Sequence, residues 1–467
     1  MAMKIAWTES GAVEGIEASN QQITVFRGIP FAAPPVGRLR WREPLPPESW
    51  SGVRECHHFA PAAMQKEDTG ASAIVAREFY LKDLKKSEDC LYLNIWTPAE
   101  SEEEKLPVAV YIHGGGFAKG FSYNNAYDGE GFAKRGIVVV TITYRTNIFG
   151  FFTHPELTRE GGTSGNYGLK DQVAALSWVK RNISSFGGDP ERVTVFGQSA
   201  GAASISYLLA APSAGGLFQR AIMQSGGGMK PPVNQWGRNL SEGERLGEMF
   251  FQFMGIHSLE EGRDTSAEVL LDGFWEYIKR PLAEGEPDGI GGFMRFAPVI
   301  DGSFLAESPM DACRKGHYPK LDYMLGSTSG EWKALTYLNL AWGENEIRLG
   351  RKNSYLYYFD KIPPGAKKAG HSSEHHYVFQ TLLRSGRHYT GVDFDLSNEL
   401  ADRWAAFIKE GTPNYPGGET WTPYTKEHPE LFWIQDTCHM RPWEKTEESE
   451  EKIQALLAGR VAFGGFR

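Results

Sequence analysis

The chain of 467 residues has only four cysteines, Cys56, Cys90, Cys313 and Cys438, and no two of them form a CxxC pair. That excludes a disulfide-rich scaffold and a cysteine-based zinc site. One bridge is compatible with the count, but a reduced chain is the simpler expectation. Long hydrophobic runs are missing as well. The longest, near Ile137–Ile142, is far short of the roughly 20 apolar residues that a membrane helix needs, so no membrane span is expected. The opening MAMKIAWTESG has no apolar h-region, so no secretory signal is expected. A cytoplasmic location is the expectation, with a secreted mature form as the alternative. There is no excess of basic charge either. Lys+Arg 49 against Asp+Glu 58 leave a formal charge of −9, which argues against nucleic acid or an anionic membrane as partner. Internal repeats, low-complexity tracts and long Gly/Ser linkers are absent, and the acidic Glu102–Glu104 reads as a solvated loop.

What is present is ample apolar material, 41% hydrophobic and 13% aromatic, with 53 glycines that show no collagen-like period. Val108–Ile112 (VAVYI) and Ile137–Tyr144 (IVVVTITY) read as strands too continuously apolar to be half exposed. Leu169, Val173, Leu176, Val179 and Ile183 fall on one face of a 3.6-residue period, which predicts a helix over 168–185. Arg192–Phe196, Tyr323–Leu325 and Tyr355–Phe359 read as further strands. Strands alternating with helices predict an α/β protein, a mostly parallel sheet with helices on both faces. The stretches 255–292 and 341–352 show no clear periodicity. Length alone suggests about three domains.

Gly197-Gln-Ser199-Ala-Gly201 is a GxSxG motif between the strand RVTVF and the small-residue helix AASISYLL. A nucleophile elbow needs that context: the serine sits on a sharp turn, and the flanking glycines let strand and helix approach. The plain alternative is a turn with an N-capping serine. His113-Gly-Gly-Gly-Phe117 follows VAVYI. Acyl transfer develops a negative oxygen that several backbone N–H groups can hold, and residues without side chains bring the backbone close. With Ser199 as nucleophile, the N–H groups of Gly115, Gly116 and Ala200 would form that hole. Gly114-x-Gly116-x-x-x-Gly120 also loosely resembles a dinucleotide-binding turn, although the GxGxxG spacing is missing and no helix signal follows. Where such an elbow works, acid and base follow the serine on later loops. Glu331, just after YMLGS, fits the acid, and His371 fits the base; on spacing alone His375, His376 and His388 are comparable.

The chain resembles the type-B carboxylesterases, the family of para-nitrobenzyl esterases and cholinesterases within the α/β-hydrolase superfamily. The resemblance rests on the opening segment Phe26–Gly37 with Leu39-Arg-Trp41 and on Glu88–Pro98 (EDCLYLNIWTP). It continues through Asn166–Gln172, Trp178–Pro190, Gln224-Ser225-Gly226 and PVIDG at 298–302. It implies one α/β-hydrolase domain over residues 1–467. It also implies Ser199, Glu331 and His371 as catalytic residues, His371 being set apart from its neighbours by Glu374 and Tyr377-Val-Phe379 downstream. Gly115, Gly116 and Ala200 become the oxyanion donors, and Ser225 a support for the acid, although a turn role for Ser225 fits equally. No cofactor or metal is required.

Several departures stand out. Gln198 precedes the nucleophile where the family most often has Glu, which removes a negative charge and weakens the case for cationic choline esters. Trp332 follows the acid where Gly is usual. Ala63-Met64 stand where a family disulfide would find the partner of Cys90, and a bridge to Cys56 is doubtful. Only 40 residues separate Glu331 from His371, a cut-back pocket wall. The expectation is a serine carboxylesterase acting on small-molecule esters, as a monomer or small homo-oligomer. The acyl groups would be short and the alcohol groups bulky or aromatic. Alternatives are a catalytically dead adhesion-type domain, or a lactone, carbamate or amide hydrolase or lipase on the same fold.

Overall fold

The computed structural model describes residues 3–66, 78–79, 81, 83–229, 238–281, 295–352 and 354–460. Three short strands near the start, β1 (Ile5–Thr8), β2 (Gly11–Glu14) and β5 (Val53–Glu55), make a small separate sheet, and β11 (Arg238–Asn239) pairs with β12 (Val299–Ile300). The main sheet has eleven strands: β3 (Ile16–Glu17), β4 (Thr24–Pro30), β6 (Tyr92–Thr97), β7 (Leu106–Ile112), β8 (Val138–Ile142), β9 (Gly188–Gln198), β10 (Arg220–Gln224), β13 (Asp322–Thr328), β14 (Tyr355–Phe359), β15 (Glu430–Ile434) and β16 (Cys438–Pro442). Their order is β16-β15-β14-β13-β10-β9-β7-β8-β6-β4-β3. From β8 to β15 every pairing is parallel, and antiparallel strands finish both edges.

The period of two within a strand divides the core between two faces. In β7, Val108, Val110 and Ile112 enter one apolar cluster while Ala109 and Tyr111 enter the other. In β9, Val193 and Val195 face the first and Phe196 the second. Leu169, Leu176 and Val179 of the Tyr167–Asn182 helix and Ile205 and Leu208 of the Ala200–Ala210 helix cover the first face. Leu396, Leu400, Trp404 and Phe407 of the Gly391–Glu410 helix cover the second. Burial on both faces explains why the strands read as unbroken apolar runs.

The helix predicted over 168–185 is Tyr167–Asn182, followed by a 3-10 turn, Ile183–Phe186, that Gly187 ends at φ 75°. The strand read at 192–196 is longer, running Gly188–Gln198. Residues 341–348 lie in the Lys333–Arg348 helix. That helix is buried almost all round, so it carries no one-sided stripe to betray it. Within 255–292, Leu259–Asp264 and Ala267–Lys279 are helices, and 282–292 lie outside the described residues. All four cysteines are free. Ala63, Met64 and Cys90 line a common void of about 10 Å³, room for one water, at the place where a bridge would close.

Candidate active site

Five loops that could carry chemistry leave the carboxyl ends of neighbouring parallel strands, the edge where open α/β sheets place their ligands. Strand register brings them together: Ile112 of β7 lies beside Gly197 of β9, Gln198 beside Gln224 of β10, Gln224 beside Gly326 of β13, and Thr328 beside Phe359 of β14.

Ser199 occupies the junction of β9 and the Ala200–Ala210 helix at φ 57°, ψ −122°, a conformation that a side chain-bearing residue rarely adopts. Its side chain makes no capping hydrogen bond, so the N-cap reading of the motif is not realised. Its N–H donates to Gln224 C=O at 2.9 Å. The glycines on either side are sterically required. A Cβ at Gly197 would lie 2.7 Å from the Gly201 carbonyl carbon, and one at Gly201 would lie 2.0 Å from the Ile112 oxygen. Gly226 is pressed against the elbow in the same way, since a Cβ there would lie 2.1 Å from the Ser199 oxygen.

The His113–Phe117 loop lies against the serine: a Cβ on Gly114 would come within 3.1 Å of Ser199 Cβ. Gly115 and Gly116 have φ 115° and 65°, and Phe117 has φ 60°. Residues 113–129 contain no helix, so the dinucleotide-turn reading is not met. Side chains that were not legible as functional hold this loop. Tyr144 Oη donates to His113 C=O at 2.9 Å, and the two rings stack at 4.3 Å. Asn147 Nδ2 donates to Ala118 C=O at 3.1 Å, while Gln65 both donates to Gly120 C=O at 2.9 Å and accepts from Gly120 N–H at 3.0 Å. Burial lowers the His113 imidazole to about 4, so it stays neutral and structural.

Glu331 stands three residues beyond β13, its side chain 1% exposed. One carboxylate oxygen accepts from Thr328 N–H at 2.7 Å, and the other meets His371 Nδ1 at 2.5 Å. His371 lies on the loop after β14, and its Nε2 is 3.2 Å from the side-chain nitrogen of buried Gln198, the residue before Ser199. Among the described residues, His371 is the histidine that hydrogen-bonds Glu331. His375 faces Tyr111 Oη at 2.9 Å, His376 bonds Thr381 C=O at 3.0 Å, and burial lowers both; His388 is exposed. The hydrogen bond expected from Ser225 to the acid is not formed. Its hydroxyl is buried and has no partner among the described residues, while its N–H donates to Gly326 C=O at 2.7 Å. Ser225 is held by its backbone, at φ 51°. Beneath the pair lies a second carboxyl, Glu374, fully buried, with Gln224 Nε2 3.4 Å away.

A serine on a strained elbow, a glycine loop against it and a carboxylate-held imidazole on a neighbouring loop are the parts that acyl transfer requires. The chain belongs to the carboxylesterase family, whose model matches residues 2–345 and 341–452. It is a carboxylic-ester hydrolase, and its fold is that of the α/β hydrolases. It is 35% identical to fumonisin B1 esterase of Sphingopyxis macrogoltabida, over 90% of this chain and 84% of that protein. It is 32% identical to para-nitrobenzyl esterase of Bacillus subtilis (strain 168), over 98% of this chain and all of that one. A solved PNB esterase structure matches with a TM-score of 0.82 and 29% identity, over 96% of this chain and 99% of that chain. Among the described residues, no helix is long and apolar enough to cross a membrane.

Proposed function

We propose that the whole chain, residues 1–467, works as one serine carboxylesterase domain with Ser199 as nucleophile, His371 as general base and Glu331 as its orienting acid. The observation that carries this reading is the 2.5 Å contact of Glu331 with His371 Nδ1, with Nε2 turned toward the residue before Ser199. Accepting at Nδ1–H, the carboxylate selects the tautomer whose Nε2 carries the lone pair that can take a proton. His371 Nε2 takes the Ser199 proton as the oxygen attacks the ester carbonyl. The N–H groups of Gly115, Gly116 and Ala200 hold the oxyanion, each such donor worth about 2.7–4 kcal/mol. His371 then protonates the leaving alcohol, and water repeats the cycle on the acyl-enzyme. No cofactor enters the sequence.

Gln198 supplies no negative charge beside the imidazole, so cationic alcohols gain nothing there. The 40 residues between acid and base leave room for large neutral alcohol groups, and the acyl groups accepted are short. The enzyme acts in the cytoplasm on small-molecule esters, as a monomer or small homo-oligomer. A p-nitrophenyl ester series from acetate upward tests the reading. Turnover should be greatest with short acyl chains, should fall at least about 10³-fold in Ser199→Ala, and should decline on acidification as His371 protonates. A flat profile between about pH 5 and 8, or undiminished turnover in Ser199→Ala, would contradict it.

A further inference from the structure

Trp332 follows the carboxylate that holds the imidazole, yet its own side chain lies at the surface. Glu331 is almost wholly buried, whereas Trp332 is 66% exposed. Covering that much indole would recover free energy that exposure forgoes. The backbone that carries it is tightly held. Ser329 N–H donates to Phe359 C=O and Gly330 N–H to Ala369 C=O, tying the acid's loop to strand β14 and to the loop that carries His371. Gly330 is packed so closely that a Cβ there would meet the Ala369 oxygen at 2.5 Å. On its C-terminal side, Trp332 is the N-cap of the Lys333–Arg348 helix and accepts Leu335 N–H at 3.0 Å. The indole therefore stands on a braced turn, its ring centroid 5.9 Å from that of His371 and tilted by 49°.

We propose that Trp332 is a specificity-determining residue: a platform for the alcohol portion of the ester, favouring flat aromatic alcohols. The inference rests on the serine esterase reading above. In that chemistry His371 Nε2 hands its proton to the oxygen of the leaving alcohol. That oxygen must lie within hydrogen-bond reach of the imidazole, so the alcohol's substituent begins at the imidazole edge. With the two ring centroids 5.9 Å apart, a substituent one ring in size spans more of the way to the indole than an ethyl group does. Offset or edge-to-face contact with an aromatic ring is the geometry an exposed indole on a braced turn offers.

The test compares benzyl acetate with ethyl acetate in the wild-type enzyme, Trp332→Ala and Trp332→Phe. Both substrates form the same acetyl-enzyme, so differences in kcat/KM belong to acylation, and the ratio of the two is independent of how much enzyme folds. In Trp332→Ala the benzyl-to-ethyl ratio should fall about tenfold, mainly through KM for benzyl acetate, and Trp332→Phe should recover part of it. A ratio within twofold of wild type in both variants would overturn the proposal, and a change of oligomeric state alongside it would assign the ring to contact between copies. Ser199 labelling by an organophosphate in the same variants separates the two failures. Normal labelling with an unchanged ratio sinks only the platform, whereas turnover without a reactive Ser199 sinks the esterase reading beneath it.

Discussion

Glu374 has no exposed surface, and one of its oxygens lacks a hydrogen-bond partner among the described residues. Burial, reinforced by the negative charge of Glu331, pushes its carboxyl up to about 7 from 4.5. The folded state therefore holds a proton that the unfolded chain releases at lower pH. Its contribution to stability is most favourable below the unfolded value and is lost as pH rises through the folded one. From about pH 5 to about pH 8.5 the loss is of order 2–3 kcal/mol. Glu374→Gln keeps the shape of the protonated acid without the charge. Its stability relative to wild type should climb by that amount across the interval in urea unfolding, and a constant difference at both pH values would refute the assignment. The sequence offered one hint at this residue, its place three after His371; its burial under the acid depends on how the loop after β14 folds back.

The elbow shows what an element demands of single residues. Gly201 sits where helix and strand β7 nearly touch, so Gly201→Ala must push the helix off the Ile112 carbonyl. We expect a loss of about 3 kcal/mol or more in stability and at least a tenfold fall in kcat/KM, because Ser199 and the Ala200 N–H move with the helix. Wild-type-like unfolding and activity in that variant would mean the packing is looser than described. Elements with a local signature were legible. The unbroken apolar runs of β7 and β8 matched burial on both faces, and the GxSxG context matched a strand–turn–helix. Elements without one were not, as in the Lys333–Arg348 helix, whose burial on nearly every side leaves no amphipathic period. Nor could spacing reveal Gln65, Asn147 and Tyr144, which reach the glycine loop from segments distant in sequence.

At the scale of the whole molecule, one eleven-stranded sheet gathers residues 115, 199, 331 and 371 at the carboxyl ends of its parallel strands. The family resemblance anticipated that convergence, whereas length arithmetic could not. Spacing did not separate His371 from its neighbours; the resemblance singled it out, and among the described residues it is the histidine that meets Glu331. The missing disulfide also has a physical counterpart, a small void among Ala63, Met64 and Cys90. This convergence should make Ser199 a nucleophile. Reaction with an organophosphate, followed by intact-mass and peptide-level mass spectrometry, tests it most directly. One adduct is expected, on Ser199, formed in step with loss of ester hydrolysis and absent from Ser199→Ala. An intact, folded enzyme that hydrolyses esters while Ser199 stays unmodified, or an inactivating adduct on another residue, would contradict it.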